Sequence, residues 1–410
     1  MRRTRFIHVA GFRLDSPYSG LRNPSAAVDE RLRTAPFDAF RNLQALCKSE
    51  SPDFRLIAGG VFDLVDRSIH AQLAFRDGLA AIADAGVPVY LAHGPEDPAA
   101  AWLPTINWPD GVHVMGARPE WIAITRGDET IALLQGASRQ SSTLPGPSAS
   151  DFIAASSTDA FTIGLVNQIP LEDDDDVDSQ ESLSGLHYWA FGPTQEGSLP
   201  SDPARRILSA GAIQALSPIE TGAHGCYIVE TDEAGRAGPS FVALDSVRWE
   251  HLAVDVSGVT AEDLIPTARH VVIDALAQAD GRDLTCSLAF TGAVQSSLPN
   301  DAKLLDDLRD SVLFERPWAW IDRIENHTVT QPSAAASAKE SKPGPLLSTL
   351  QTHYESIVEN DSVEELLSSI STSNLVSGDN DNSPEAMSRI LRTAHALAVE
   401  HLTIPGDDQQ

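Results

Sequence analysis

The chain has 410 residues, of which 42% are hydrophobic, so it can bury one large core together with accessory elements. Its 58 acidic and 29 basic residues give a formal net charge of −29, and such a surface repels nucleic-acid phosphates unless basic residues collect on one face. The three cysteines lack CxxC spacing, which argues against structural zinc, and no apolar run approaches the roughly 20 residues of a membrane helix. We therefore expect a cytoplasmic protein that binds no membrane.

The first 200 residues alternate short apolar runs with helical patterns. The runs at 55–58 and 87–92 predict two buried strands, because glycine or proline bounds each of them. Apolar residues at helical spacing, from Leu73 to Ala83, predict a helix between them that stops near Gly86. A strand, a helix and a strand in this order predict a β-α-β unit with parallel strands.

The next stretch predicts a hairpin and two further strands. Residues 121–125 and 130–134 flank a short turn, and apolar runs follow at 161–166 and 186–191. Residues 172–178 are nearly all acidic. They lack the alternating ligands and the glycine of an EF-hand, so we interpret them as a solvated loop rather than a calcium site.

The remainder predicts a smaller β-rich unit followed by a helical tail. Residues 201–330 contain one long helix candidate, at 261–279, among several strand candidates. Residues 331–345 are rich in Ala, Ser, Lys and Pro and predict a linker, and residues 346–410 carry apolar stripes at helical spacing. The tail helices either pack on the protein itself or attach to a partner. The strand candidates lie at 225–230, 240–244, 247–254 and 284–291.

Four short segments follow strand-like runs and contain turn-forming residues. In layered α/β proteins, turns at strand ends are where binding and catalytic groups commonly lie. These turns carry Gly, Arg, Pro and Gln at positions where a two-metal hydrolase would need Asp, His and Asn. They lie at residues 8–15, 58–63, 92–97 and 189–195.

These segments resemble the motifs of calcineurin-like metallophosphoesterases, and the branch they are most similar to is that of the SbcD-type DNA-repair exonucleases. Further matches lie at 220–226 and, in the region of the family's capping domain, at 247–250. The resemblance covers residues 5 to 330 and implies an α/β fold. It implies a four-layer α/β/β/α sandwich over 1–200 and a smaller β-rich capping domain over 201–330.

Active relatives hold two Mn²⁺ or Mg²⁺ ions through Asp, His and Asn ligands, and the resemblance implies that each ligand position is replaced here. Each ion needs about six oxygen or nitrogen donors. Glycine and proline side chains supply none, and an arginine brings a cation where a cation should bind. We therefore expect no metal cofactor and no ordinary phosphodiesterase activity. The replaced positions are Gly11, Arg13, Gly60, Pro95, Glu96, Asn167, Pro193 and Gln195.

Three carboxylates near these turns leave a second interpretation open. Asp15, Asp63 and Asp97 either build a rearranged, single-metal site or cap turns. For Arg13 we hypothesise a charge-assisted pair with Glu96 or Asp97 that fills the vacated site, the alternative being an arginine that points to solvent.

The other polar residues near the turns favour structural roles. His8 and His93 either take part in a rebuilt single-metal site or, as we favour, pack at strand positions. His224 lies in a glycine-rich turn, and we interpret it as structural. Ser16 and Ser138 have no base partner that the sequence reveals, which argues against a serine hydrolase.

The first functional hypothesis is a catalytically inactive metallophosphoesterase that acts as a binding or scaffold subunit. By resemblance, its protein partner is an SMC-like ATPase or an active paralogous nuclease, attached through the tail at 346–410. Nucleic acid is then reached only through that complex, and a homodimer stays open. The alternative is a metal-dependent phosphodiesterase or exonuclease with a rearranged or single-metal site, and a third hypothesis is a ligand sensor that uses the old pocket without chemistry.

Overall fold

The computed structural model describes residues 1–83, 86–147, 151–153, 160–168, 185–193, 207–294, 302–312 and 317–330. The acidic run, the linker, the helical tail and Gln195 lie outside these residues, and the interpretations given to them stay predictions. Among the helices that the structure describes, none combines the length and apolar character of a membrane-spanning segment.

Strands dominate the described part of the chain. The strands are β1 (Arg5–Val9), β2 (Phe54–Ile57), β3 (Val89–Leu91), β4 (Val112–Val114), β5 (Glu120–Arg126), β6 (Glu129–Ala137), β7 (Phe161–Val166), β8 (Tyr188–Phe191), β9 (Ile207–Ser209), β10 (Gly225–Thr231), β11 (Ala237–Ala243), β12 (Val247–Asp255), β13 (Asp283–Val294) and β14 (Ala319–Thr330). The helices are α1 (Ala26–Glu50), α2 (Ile69–Ala83), α3 (Leu264–Gln278) and α4 (Ala302–Ser311), and a single 3-10 turn covers Ala99–Ala101.

The first sheet has six strands in the order β11-β10-β1-β2-β3-β4. Strands β1 to β4 run parallel, and β10 pairs antiparallel with β1. The predicted β-α-β unit is confirmed as β2, α2 and β3. Parallel strands that are buried on both faces read as continuous apolar runs, and this is why β2 and β3 could be recognised in the sequence.

The second sheet has five strands in the order β5-β6-β7-β8-β9. Strands β5 and β6 form the predicted hairpin, and β6 to β9 run parallel. The strands predicted at 161–166 and 186–191 are confirmed as β7 and β8. In both sheets, several parallel strands therefore end at the same edge. This arrangement brings the residues after those strands together.

Helix α1 begins at an N-cap, Ser25, whose hydroxyl accepts a hydrogen bond from the backbone of Val28, and it ends at Ser51 in a left-handed conformation. Its apolar face, with that of α2, packs on the outer face of the first sheet. The alternate residues of the same strands face the second sheet, because successive side chains of a strand point to opposite faces. This inner core contains Phe6, Leu56, Tyr90, Leu134, Ile163, Leu165 and Tyr188.

The structure thus shows helix, sheet and sheet layers in a mixed α/β fold, as predicted. On the outer face of the second sheet it describes a smaller apolar group that includes Phe152, Trp189 and Phe191. The fourth layer of the predicted sandwich stays a prediction.

Strands β10 and β11 differ from the expectation. The sequence analysis assigned them to the capping domain, whereas they extend the first sheet beside β1, with Arg5 opposite Glu230 and His8 opposite Tyr227. The pairing buries Cys226 and Ile228 in the core under α1 and α2, while Val229 faces the second sheet. The sequence distance between β1 and β10 hides this pairing from local patterns.

The chain divides into two compact units. The first takes in the described residues of 1–251, 275–286 and 313–322. The second takes in those of 252–274, 287–312 and 323–330 and contains most of α3, all of α4 and the distal parts of the sheet β12-β13-β14. Its buried apolar residues include Leu264, Val272, Leu288, Phe290, Leu304 and Leu308. The domain boundaries of the sequence analysis stay a prediction.

Candidate functional site at the strand ends

The turns that follow β1, β2 and β3 meet the first residues after β7 and β8 in the first unit. The backbone N–H of Gly11 donates to the carbonyl of Gly59 at 2.9 Å, and that of Arg13 donates to the carbonyl of Gly60 at 2.9 Å. These two bonds join the turn after β1 to the turn after β2. Parallel strands end at the same edge of a sheet, so their turns can bond in this way.

Asn167 lies between these turns, at a contact region that we call the strand-end junction. Its side-chain amide donates to the carbonyl of Ala58 at 2.5 Å, and its backbone carbonyl accepts from the N–H of Gly192 at 2.8 Å. A Cβ atom added at Gly192 would lie 2.5 Å from the oxygen of Ala58 and closer still to the amide nitrogen of Asn167. The Asn167 side chain therefore fills the space between the turns, and only glycine fits beside it.

Gly60 shows the same close packing on the side of β1. Its φ of +74° is one that glycine adopts readily, and an added Cβ would lie 3.1 Å from the Cα of Gly11 and 3.4 Å from the ring of Pro193. A carboxylate at this position would need backbone strain as well as space. The residues at three of the predicted positions, Gly11, Gly60 and Pro193, thus lie close together.

Asp97 is fully buried and holds the junction together through the backbone. One of its oxygens, Oδ1, accepts from the N–H groups of Gly60 at 3.0 Å and Gly94 at 2.9 Å, while Oδ2 accepts from Val61 at 3.1 Å. Three converging backbone N–H groups form a concavity that suits an anion. Here a carboxylate of the chain itself occupies it, so Asp97 acts as a turn-organising residue.

Arg13, in the turn after β1, forms an ion pair, but not with the predicted partner. Its Nη1 donates to Oε1 of Glu220 at 2.8 Å and its Nη2 to Oε2 at 2.5 Å. The predicted pair with Glu96 or Asp97 is therefore wrong. Both oxygens of Asp97 already accept from the backbone, whereas Glu220 presents a carboxylate that matches the guanidinium fork.

The pair also ties down the segment that follows β9. Nη2 of Arg13 reaches the carbonyl of Gln214 at 3.2 Å, and Oε2 of Glu220 accepts from the N–H of Leu216 at 2.8 Å. Burial alone raises the pKa of Glu220, but the hydrogen bond and the charge of Arg13 outweigh it and leave that pKa lowered. Glu220 is thus held as a carboxylate.

The other two carboxylates have separate partners. Oδ2 of Asp15 accepts from the hydroxyl of Ser68 at 2.5 Å and lies 2.8 Å from Nδ1 of His70. Oδ1 of Asp63 accepts from the N–H of Val65 at 2.9 Å. Within the described residues, no three His, Cys, Asp or Glu side chains come together as a group that could hold a metal ion.

His8 links the two sheets. Its Nε2 lies 2.9 Å from the carbonyl of Phe191 and its Nδ1 lies 2.9 Å from the hydroxyl of Tyr188. Because a carbonyl can only accept, Nε2 carries the proton and Nδ1 accepts from the tyrosine. Burial lowers the pKa of His8 to about 4, so the neutral form is held at physiological pH.

His93, Ser138 and Ser16 do not form a nucleophilic group. The hydroxyl of Ser138 accepts from the backbone N–H of His93 at 2.9 Å, and the ring of His93 lies among Trp102 and Trp108. Nδ1 of His93 is 4.0 Å from Oδ2 of Asp97, and it is buried without a hydrogen bond, as is the hydroxyl of Ser16. Nε2 of His224 lies 3.1 Å from the carbonyl of Glu220, which supports a turn.

These residues do not fit two Mn²⁺ or Mg²⁺ ions. Gly11, Gly60, Pro95 and Pro193 offer no side-chain donor, and Asn167, whose amide nitrogen donates to Ala58, has only its neutral Oδ1 to offer a cation. Each ion would need about six donors and the pair a bridging carboxylate, and Asp97 spends its oxygens on the backbone. Gln195 lies outside the described residues.

Two residues of this site were not predicted from the sequence. Glu220 was noted only as part of a matching stretch, and Gln214 was not singled out. Arg13 and Glu220 are 207 positions apart, so no local pattern connects them. The signal that the sequence offered was Arg13 itself, because a guanidinium among buried strand ends requires an anion nearby.

Part of this chain is similar to a known protein. No family model matches the chain. The chain is 31% identical over 266 residues to the uncharacterised metallophosphoesterase YhaO of Bacillus subtilis (strain 168). The alignment covers 62% of this chain and 63% of YhaO, so the chain matches less than two thirds of that relative.

Among solved structures, the chain is similar to the protein TT1561 of Thermus thermophilus, with a TM-score of 0.32 and 10% identity. The match covers 58% of this chain and 99% of that one. The similarity to YhaO supports a relationship between this chain and the metallophosphoesterase superfamily.

Proposed function

We propose that this chain is a cytoplasmic, metallophosphoesterase-like protein that has lost two-metal hydrolysis and serves as a binding or scaffold subunit. The observation that carries the proposal is the junction at the strand ends, where the amide of Asn167 bonds to Ala58 and the carboxylate of Asp97 bonds to three backbone N–H groups. In two-metal hydrolases the ions activate water and clamp the phosphoryl oxygens. Among the residues that the structure describes, this junction is filled by the chain's own groups and no three His, Cys, Asp or Glu side chains come together for that task.

The Arg13–Glu220 pair supports the same conclusion. By resemblance, Arg13 stands where active relatives have a histidine ligand. A guanidinium at that position repels a divalent cation, and its charge is balanced by Glu220. The pair also holds the segment around Leu216.

Metal analysis tests the loss of catalysis. The purified chain is dialysed against Mn²⁺, bound metal is measured by mass spectrometry, and hydrolysis of bis(p-nitrophenyl) phosphate is followed in parallel. We expect bound metal well below one ion per chain and no turnover above buffer with Mn²⁺. The alternative, a single-metal site of Asp15, Asp63 and Asp97, requires stoichiometric metal and turnover that disappears in Asp97→Asn. That result, obtained with a variant shown by circular dichroism to be folded, would overturn the proposal.

The proposed partner is an SMC-like ATPase or an active nuclease paralogue, with the tail at 346–410 as the attachment element. The net charge of −29 supports contact with nucleic acid through such a complex rather than by this chain alone. Affinity capture with the full chain and with a chain ending at residue 345 tests the tether. We expect an ATPase with long coiled coils to be retained by the full chain only. Equal retention by both chains would exclude the tail as the tether.

A further inference from the structure

The two sheets of the first unit have four outer strands, β4, β5, β9 and β11. Strands β4 and β9 have three residues each, and β11 contains Pro239, which has no N–H group to offer a further strand. Strand β5 has seven residues and contains neither glycine nor proline. Among the described residues, no strand pairs with the side of β5 that faces away from β6, which we call the open edge of β5. Such an edge is able to add a further strand.

The backbone of β5 contains no extra residue along this edge. The pairing with β6 shifts after Ile124, and the residue that it skips, Ile131, belongs to β6. An extra residue in an outer strand bends that strand and disrupts its ladder, which is one way in which proteins keep such strands from pairing further. Here the irregularity lies on the inner strand of the hairpin, so it does not protect β5 in this way.

Two exposed apolar side chains lie near the open edge of β5. Trp121 of β5 is 38% exposed and lies opposite Gln135 of β6. The side chain of Gln135 donates to the carbonyl of Ile153 at 2.6 Å and accepts from its N–H group at 3.1 Å. These two bonds hold Ile153, which is 66% exposed, beside the same part of the sheet. Exposed apolar side chains that are close together next to an unpaired strand favour contact with another protein surface.

We propose that the open edge of β5 pairs with β5 of a second copy of the chain, antiparallel and centred on Ala123. In this register Glu120 of each copy lies opposite Arg126 of the other, so the two ends of the strand are complementary in charge. Trp121 lies opposite Thr125 of the other copy, and an aromatic side chain beside a β-branched one is a favourable cross-strand pair. A two-fold interface requires a surface that is complementary to itself, and β5 meets this requirement.

Arg126 is able to take the second carboxylate without losing its first. It donates from Nε and Nη2 to the two oxygens of Asp53, at 2.8 and 2.6 Å, and from Nη2 to the carbonyl of Arg3 at 3.3 Å. Its Nη1 makes no hydrogen bond with the described residues, and its side chain is 54% exposed. Glu120 is exposed as well. Ion pairs of this kind contribute little affinity, but they select one register.

The expected dimer is weak. One pair of seven-residue strands forms a small interface, and interfaces at the low end of the size range belong to transient complexes. We therefore expect a dissociation constant of about 10–100 µM. The formal charge of −29 on each copy adds a general repulsion, which about 0.15 M salt screens beyond roughly 8 Å. The inference goes beyond the proposed function and does not depend on it.

Sedimentation velocity of the intact chain tests the proposal at concentrations from about 1 to about 300 µM in this salt. We expect the wild type to pass from monomer to dimer. Ala123→Lys should weaken the dimer by about tenfold or more, because it places two ammonium groups together on the two-fold axis. The matched control is Ser240→Lys, which adds the same charge to an exposed position of β11 and should leave the dissociation constant within about twofold of the wild type.

Oxidative cross-linking provides a second measurement that does not depend on a charged variant. Directly opposite residues of antiparallel strands have Cα atoms about 4.5–5.5 Å apart, which a disulfide can span. We expect Ala123→Cys to give a covalent dimer with diamide and Ser240→Cys to stay monomeric. The three native cysteines are buried and should not compete.

Four outcomes would overturn the proposal. The first is a wild-type chain that stays monomeric at the highest concentration. The second is a dimer that Ala123→Lys leaves intact, and the third is an equal loss in Ser240→Lys, which would assign the effect to net charge. The fourth is a yield of covalent dimer from Ala123→Cys no higher than that from Ser240→Cys. Because both positions are exposed, thermal melting should show all four variants folded.

Discussion

Asp97 accepts hydrogen bonds at both of its oxygens, from the backbone N–H groups of Gly60, Gly94 and Val61. An asparagine has the same shape, but its NH₂ group would replace one of the two accepting oxygens. At least one backbone N–H group would then face another donor instead of an acceptor. We expect Asp97→Asn to lower the free energy of unfolding by roughly 2–3 kcal/mol, measured by urea denaturation. The control, Asp63→Asn, changes a carboxylate that accepts from Val65 alone and should cost about 1 kcal/mol or less. Equal losses would contradict the role given to Asp97.

His8 predicts a pH dependence of stability. Its pKa is lowered to about 4 in the folded chain by burial, against 6.5 in the unfolded chain. Above pH 6.5 both states are neutral and His8 has no effect. As the pH falls from 6.5 toward 4, only the unfolded state takes up the proton, so the free energy of unfolding falls by up to about 3 kcal/mol.

Urea denaturation at pH 7.5 and pH 5 measures this effect. We expect His8→Gln to be less stable than the wild type at pH 7.5, because the contacts with Phe191 and Tyr188 change. Its stability should nevertheless fall less between the two pH values. The exposed His113 provides the control variant, His113→Gln, which should keep the wild-type pH dependence. An unchanged pH dependence in His8→Gln would refute the assignment.

At the scale of elements, the turn after β8 tests how tightly the strand ends are packed. A methyl group at Gly192 would meet the carbonyl of Ala58 at 2.5 Å and the side chain of Asn167. We expect Gly192→Ala to destabilise the chain by about 1–3 kcal/mol, measured by thermal or urea unfolding. Gly116→Ala is the control, since its nearest neighbour would lie at 3.9 Å. A neutral Gly192→Ala would mean that the junction is open.

The Arg13–Glu220 pair joins the turn after β1 to the segment before β10. The coupling energy between the two side chains therefore measures how strongly these two segments are held together. Both side chains are about three-quarters buried. A double-mutant cycle with Arg13→Gln and Glu220→Gln should give a coupling of about 1–2 kcal/mol, because the pair is bidentate and partly shielded from water. The exposed pair Arg33–Asp29 of α1 should give about 0.5 kcal/mol or less. A coupling energy no larger than that of the exposed pair would mean that Arg13 and Glu220 do not hold the two segments together.

Sequence reasoning succeeded where structure follows from local pattern. The unit β2-α2-β3 and the hairpin β5-β6 were predicted because apolar runs and turn residues mark them directly. The site was only half predictable. The turns at the strand ends could be named, but the partner of Arg13 and the sheet of β10 depend on contacts between residues more than 200 positions apart. Such contacts are set by tertiary packing and leave no local signal.

At the scale of the whole molecule, the strand pairing bears on where the chain can be divided. A chain ending at residue 200 would lose β10 and β11 and would leave one edge of β1 unpaired. We expect that chain to lack a cooperative thermal transition, while a chain ending at residue 330 melts as the full chain does. Circular dichroism and limited proteolysis provide the measurement. Cooperative melting of residues 1–200 would support the domain boundary predicted from the sequence.

The place of β10 in the first sheet also affects how the chain is made. Arg5 faces Glu230, so 225 residues of synthesis separate the two strands. At about 5–20 residues per second, β1 leaves the ribosome roughly 10–45 s before its neighbour exists. During that interval the unpaired edge of β1, the strand that contains Phe6 and His8, can pair with another nascent chain. We therefore expect the protein to depend on chaperone binding near its N-terminus while its translation continues.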